Sequence, residues 1–351
     1  MLLRIRLRCA ARWCLLLLVT AIVQHTCSSH VAAAPAEQSK SQQQQTEDDI
    51  YRSRAMLYRQ ISKKTGVPWY RLAAIDQYER TLTRVHPKDR QHAERVSGIF
   101  VNSHVWSGQF NPDQEDQNPA SIAFFEGFGR DGSGDGQANP DDDMDLLFSV
   151  AAYLANYGQA EDKFHIALWE YYHNSRSVQR IRQFTSLYQT HGTLKLNQHA
   201  FPLPLSSDYS YRSTWGSGRS WGGNRIHEGT DLFARYGVPV RSTCYGVVEV
   251  KGWNPFGGWR IGIRDIDNRY HYYAHLSGFD KKLSTGDLVT PGQTIGWVGS
   301  SGYGKPGTQG KFPPHLHYGI YRDSGLSEWS FDPYPLLKRW EQMERKQLKK
   351  R

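Results

Sequence analysis

Three short stretches of the 351-residue chain carry side chains able to hold a metal ion and move a proton. They are His227-Glu228-Gly229-Thr230-Asp231, then Tyr273-Ala274-His275-Leu276, then Pro314-His315-Leu316-His317-Tyr318. Side chains alternate between the two faces of an extended strand, so His315 and His317 point to one side. Two imidazoles and a carboxylate make a sound zinc set, and a catalytic zinc needs three protein ligands beside an open position. The remaining histidines suit proton transfer or charge stabilisation, because imidazole titrates near neutral pH. Taken singly these signals are weak, since an exposed His is usually polar surface and His-x-His occurs by chance. Three of them in one β-rich stretch form a constellation. Glu228 could be mistaken for a base, but no second His stands at the helical spacing that His-Glu-x-x-His enzymes use.

The elements that must position these residues are strands. From about residue 208, short β-branched runs alternate with Gly-rich turns: Val238 to Arg241, Gly246 to Val250, Ile261 to Ile263, Tyr270 to His275 and Gly292 to Gly299. That texture predicts an antiparallel β domain over 208–337. Ahead of it, Met56, Leu57, Tyr58 and Ile61 precede a Gly66-Val67-Pro68 break, and Trp69, Leu72, Ala73, Ile75 and Tyr78 recur at spacings of three and four. Further helical stretches run from Asp145 to Tyr157, Phe164 to Tyr172 and Val178 to Tyr188. Residues 51–192 therefore read as an all-helical domain, with 193–207 as the connection to the β domain.

The chain begins with an export signal. Arg4, Arg6, Arg8 and Arg12 form a basic head, Trp13 to Val23 an apolar run of 11 residues, and Val31-Ala32-Ala33-Ala34 a small-residue cleavage site. The run is short for a membrane span, which takes about 20 residues, so residues 1–34 read as a secretory signal peptide, with a retained anchor as the other reading. Cys9, Cys14 and Cys27 lie in it, leaving Cys244 and no internal disulfide. Residues 35–50 read as a disordered polar linker.

The net charge of +9 raises the question of nucleic acid. Four of those nine units lie in the signal segment and five in a basic, helix-prone tail at 338–351, so residues 35–337 between them sum to zero. No basic-aromatic motif accompanies the charge, and nucleic acid is set aside as a partner. The tail is either a solvated end or a hold on anionic wall polymers or a membrane surface.

Residues 200–335 resemble the lysostaphin/LytM-type zinc endopeptidases. The resemblance rests on His227/Asp231, on His275, on His315/His317 and on surrounding text such as Gly237-Val238-Pro239-Val240 and Val289-Thr290-Pro291-Gly292-Gln293-Thr294-Ile295-Gly296. It implies a secreted, wall-associated peptidoglycan hydrolase that cleaves stem peptides or cross-links with zinc-activated water. His227, Asp231 and His317 would be the zinc ligands, His315 the general base, and His275 the group that stabilises charge on the scissile carbonyl. The segment from Gly302 to Pro314 is longer than the family's usual step into its last motif, which puts the substrate preference in question. The pairing of a helical with a β domain looks like sporulation-associated endopeptidases that cut the L-alanyl-D-glutamate bond. A catalytically inactive wall-binding regulator is the competing reading, against which all five motif positions are filled.

The helical domain is similar to lysozyme-like lytic transglycosylases, on Leu72-Ala73-Ala74-Ile75-Asp76-Gln77-Tyr78-Glu79 and on the text from Gly129 to Leu154. This implies Glu79 as an acid/base on glycan, hence a bifunctional enzyme, although Arg80 stands where that family usually has Ser; a glycan-binding fold without catalysis or a solvated charge are the alternatives. Asp131, Ser133 and Asp135 fall at positions one, three and five of a calcium loop in outline, with Gly136 at six, Asn139 at nine and Asp142 at twelve. A Gly/Asp turn capping the next helix is the other reading of that stretch.

Overall fold

The structure is a computed structural model that describes residues 35–85, 95–221 and 223–350. The expected signal peptide lies outside these residues. Among the described residues no helix is long and apolar enough to cross a membrane.

Among the described residues seven helices come first: α1 (Pro35–Thr65), α2 (Trp69–Val85), α3 (Ser103–Ser107), α4 (Pro119–Phe124), α5 (Asp143–Tyr157), α6 (Glu161–Tyr172) and α7 (Ser175–His191). The expected disordered linker at 35–50 is corrected, because α1 begins at Pro35. After that proline, which suits a first helical turn, the stretch holds no Gly or Pro and is rich in Gln, Glu and Lys, all compatible with a helix. The apolar spacing read in the sequence becomes the helical core: Leu72, Ala73, Ile75 and Tyr78 of α2 meet Ile181, Phe184, Leu187 and Tyr188 of α7, all buried. Helix α7 starts on Asn174, whose side chain accepts from the Arg176 and Ser177 amides, and stops at Gly192 in the left-handed conformation. The short α3 and α4 escape sequence reading, since five or six residues are too few to show a helical period.

The strands are β1 (Tyr209–Tyr211), β2 (Gly218–Arg219), β3 (Arg225–Ile226), β4 (Thr230–Ala234), β5 (Pro239–Arg241), β6 (Gly246–Asn254), β7 (Gly258–Asp265), β8 (Arg269–Phe279), β9 (Leu288–Val289), β10 (Thr294–Val298), β11 (His315–Asp323) and β12 (Glu328–Ser330). Every pairing is antiparallel. Along the main sheet the order is β1-β4-β11-β8-β7-β6-β9, with β5, β10 and β12 attached beside it. Strands β2 and β3 form a separate two-stranded hairpin.

A last helix, α8 (Tyr334–Leu348), changes the expected domain limits. Residues 338–351 are not a free tail: Leu337 and Trp340 of α8 are buried in the β core, and Trp340 stacks on His199 at 4.8 Å. Glu341 accepts from the Tyr209 and Tyr211 hydroxyls at 2.7 and 2.5 Å. The basic residues fall on the outer face, which hides the apolar stripe from a reading of composition. The connection at 193–207 is likewise built in, with Leu194 and Leu196 in the helical core and Phe201 and Leu203 in the β core.

The helical and β regions meet through buried charge. Arg180 of α7 reaches Asp323 at 3.1 Å and also binds Glu249, while Arg264 binds Glu249 at 3.1 Å and Glu328. Gln77 of α2 donates to the Ile266 carbonyl at 2.9 Å. Removing one member of such a network leaves a buried charge uncompensated, typically about 3–5 kcal/mol.

Candidate active site

Strands β4 and β11 run side by side with His317 opposite Asp231 in register, and β8 flanks β11 with Ala274 opposite His317. His227 sits just before β4, where its backbone N–H donates to the Ser217 carbonyl at 2.7 Å. Period-two alternation turns His315 and His317 toward one groove, while Leu316 and Tyr318 enter the core behind them. Behind the ligands, Thr243, Tyr273, Tyr318, His271 and Asp265 form a buried hydrogen-bonded chain that braces β8 against β11.

Three ligand atoms converge. His227 Nε2 lies 2.9 Å from His317 Nδ1 and 3.0 Å from Asp231 Oδ1, and His317 Nδ1 lies 3.1 Å from the same oxygen. The other nitrogen of His227 is committed, because its Nδ1–H donates to the Thr214 carbonyl at 2.9 Å. Arg219 donates to Asp231 Oδ2 at 2.6 Å, leaving Oδ1 directed at the imidazoles. Burial raises the Asp231 carboxyl, but hydrogen bonds from His227 and His317 overcome it and hold the group far below the usual carboxylate range. Burial lowers the pKa of His317, which favours the neutral imidazole that a metal requires. The donor set therefore fits a divalent metal of zinc type, two nitrogens and one oxygen with a side open to the groove. Gly229 makes room for the His317 ring: a Cβ there would come within 2.8 Å of His317 Nε2.

The two remaining histidines face the same space. His315 donates from Nδ1 to the Pro313 carbonyl at 2.9 Å, and its Nε2 lies 3.7 Å from Asp231 Oδ1. His275 donates from Nδ1 to the Ser301 carbonyl at 2.7 Å. It holds a left-handed backbone, φ +61°, where the pairing of β8 with β7 and with β10 shifts register. Such a backbone is uncommon for a non-glycine residue and here aims the ring into the groove. Burial, then the nearby His315 and His317, push the His275 pKa well down.

The groove has a volume of about 440 Å³. Its walls include residues that the motifs do not announce. The long segment after Gly302 returns Tyr303 and Phe312 against His275, at ring separations of 5.9 and 4.6 Å. Trp221, beyond β2, stacks on Tyr303 at 4.5 Å. Arg219, Arg225, Phe256 and Tyr272 complete this side. The unusual length of 302–314 was visible in the sequence, but the hairpin it meets was not, because two-residue strands carry no period.

The other candidate residues lie in the helical region. Of the residues proposed for a calcium loop, Asp131 and Asp135 bring carboxylate oxygens to within 4.8 Å of each other and of Asp145, while Asn139 and Asp142 turn to backbone amides instead. Asp142 caps α5, accepting from the Met144 and Asp145 amides at 2.7 and 3.1 Å, and Asn139 accepts from the Asp141 amide at 2.9 Å. Asp145, buried, takes the inward place and accepts from Gly132, Ser133 and Asn139 amides. Asp131 accepts from the Gly134 and Gly136 amides. Asp142, expected at position twelve, is thus the cap of α5. Glu79 of α2 accepts from the Tyr172 hydroxyl at 2.6 Å, and burial pushes its carboxyl up to about 7 while that hydrogen bond pulls the other way. Arg80 pairs back to Asp76 at 2.9 Å.

Two imidazoles and a carboxylate at one point of an antiparallel sheet, with two further histidines across an open groove, define a metallohydrolase site. Residues 225–332 match the model of peptidase family M23, and the chain belongs to that family. Over 297 residues it is 56% identical to the L-Ala–D-Glu endopeptidase of Bacillus subtilis (strain 168), covering 85% of this chain and 91% of that protein. The glycyl-glycine endopeptidase ALE-1 of Staphylococcus capitis is 40% identical over 119 residues, 33% of this chain and 30% of that protein. The solved catalytic domain of lysostaphin from Staphylococcus simulans is 30% identical with a TM-score of 0.32, over 40% of this chain and 99% of that domain.

Proposed function

We propose that this protein is an extracytoplasmic peptidoglycan endopeptidase that cuts the bond between L-alanine and D-glutamate in stem peptides. The observation that carries the chemistry is the convergence of His227 Nε2, Asp231 Oδ1 and His317 Nδ1 to within about 3 Å of one another beside an open groove. The choice of bond is supported by the 56% identity along nearly the whole Bacillus relative, helical region included. The basic head and apolar run at the N-terminus support export.

His227, Asp231 and His317 would hold zinc, which when bound supplies Lewis acidity to a water and to the scissile carbonyl. The protein's own share follows from tautomers. His315 and His275 each give their Nδ1–H to a carbonyl, so in the neutral ring each presents a bare Nε2 to the groove. His315 Nε2 receives the proton of the attacking water. Neutral His275 can accept but not donate at Nε2, so it would stabilise charge on the carbonyl oxygen in its protonated form, which burial opposes and the Ser301 carbonyl, accepting from Nδ1, partly supports. The proton that His315 accepted passes to the leaving amine, which restores the neutral base.

Digestion of purified peptidoglycan followed by mass spectrometry tests the bond. New C-terminal L-alanine and N-terminal D-glutamate are expected, and any other pair of new ends rejects the assignment.

A second reading concerns the helical region, where a lysozyme-like role rests on the buried Glu79 carboxyl under Tyr172. A carboxyl raised to about 7 is protonated at neutral pH and could serve as an acid toward a glycosidic oxygen. Release of reducing or anhydro sugar ends from peptide-free glycan strands, lost in Glu79→Gln, is the test. The outer basic face of α8 is the corresponding candidate for holding anionic wall polymers, an attraction that salt would weaken.

A further inference from the structure

The groove carries positive charge that the metal chemistry does not use. In the β2–β3 hairpin Arg219 stands directly opposite Arg225 in register, and both line the groove. Like charges directly across a strand pair are destabilising, so this pairing works against the hairpin's own stability. Arg219 is engaged with Asp231 at 2.6 Å. Among the described residues Arg225 forms no salt bridge; its guanidinium lies 5.1 Å over the Phe256 ring and is exposed to the groove. Arg260 of β7 adds to the field, with a buried Nε that has no hydrogen-bond partner. Arg260 and Arg225 both act on Tyr272, a groove residue whose hydroxyl burial pushes up to about 12 and these two cations pull back. The hairpin is packed on the groove wall, since Trp221 stacks on Tyr303 and meets Phe256 edge-on at 5.2 Å. A guanidinium on an aromatic face, with its fork free, matches a carboxylate.

We propose that Arg225 binds a free carboxylate on the substrate residue next to the scissile bond, so that the enzyme selects an acidic residue there over its amide. This rests on the bond assignment above. A glutamate joined to L-alanine through its amine and to the following residue through one carboxyl keeps its other carboxyl free, and that is the group Arg225 would meet. Arg219 is a positioning residue for Asp231 and lends its charge to the same end of the groove.

The experiment uses the full-length zinc-loaded protein and two stem peptides that differ only in whether this carboxyl is free or a primary amide. Wild type is expected to favour the free carboxylate by roughly 10- to 100-fold in kcat/KM, the size of one charge-assisted hydrogen bond. In Arg225→Gln the preference should collapse to within about twofold, and Arg225→Lys should keep part of it. Competition by the two corresponding product peptides against wild type gives the same comparison without relying on a variant's folding. Equal cleavage of both peptides by wild type overturns the proposal while leaving the bond assignment standing, as does an Arg225→Gln enzyme that keeps the full preference. If neither peptide is cut while other wall bonds are, the bond assignment itself fails and this proposal falls with it.

Discussion

The Nδ1–H of His275 donates to the carbonyl of Ser301 at 2.7 Å, and this contact decides which nitrogen meets the groove. His275 stands outside the ligand set, whose members are gathered around Asp231 Oδ1. His275→Ala should therefore retain stoichiometric zinc and lose roughly 10²–10³ in turnover, the usual loss for one charge-stabilising group. His227→Ala should lose both. Metal content and turnover measured on the same preparations check the pair, and a metal-free His275→Ala protein would sink the assignment.

Arg219 fixes the second oxygen of a ligand carboxylate. Partners of this sort commonly contribute about 10- to 100-fold to metal affinity. Arg219→Ala should weaken zinc binding by that amount in titration against a competing chelator. Unchanged affinity would mean that Asp231 is oriented without it.

Glu79 is the group from which pH dependence of stability is expected. Its folded pKa, about 7, lies above its ordinary value of 4.5, so the folded state holds a proton that the unfolded chain gives up between these limits. The stability of the helical region should fall as pH rises through that window, by at most about 3 kcal/mol. Glu79→Gln cannot ionise and should be more stable than wild type at pH 8 but close to it at pH 4.5. Urea midpoints at the two pH values measure this, and parallel shifts in both proteins would refute it.

Trp340 closes the β core from α8, packed on His199 and beside Tyr318. Trp340→Ala should destabilise the protein by about 3–5 kcal/mol, as large buried aromatics do. Lys346→Ala, exposed on the same helix, should change the midpoint of thermal unfolding little.

The metal set was legible in the sequence because its signal is a pair of residue types at short spacing, His227 with Asp231 and His315 with His317. The strand period alone puts His315 and His317 on one face. Long amphipathic helices such as α7 were legible for the same reason, a repeated interval. What could not be read lacks an interval. Arg219 and Arg225 sit on two-residue strands, and their relation to Asp231 exists only once the hairpin closes. Asp142 looked like a ligand because a helix cap and a cation loop call on the same oxygen-bearing residues, and the backbone amides of Met144 and Asp145 took it. The basic tail hid α8, since its charges outnumber the apolar residues that anchor it.

The docking of α8 has a consequence for timing. Leu337 and Trp340 fill the same core as Leu232, Leu316 and Tyr318, the neighbours of the metal ligands. A chain that leaves a ribosome or a translocation channel N-terminus first presents its helices and nearly all its strands before this plug arrives. The core behind the metal ligands is therefore completed only once residue 340 has emerged.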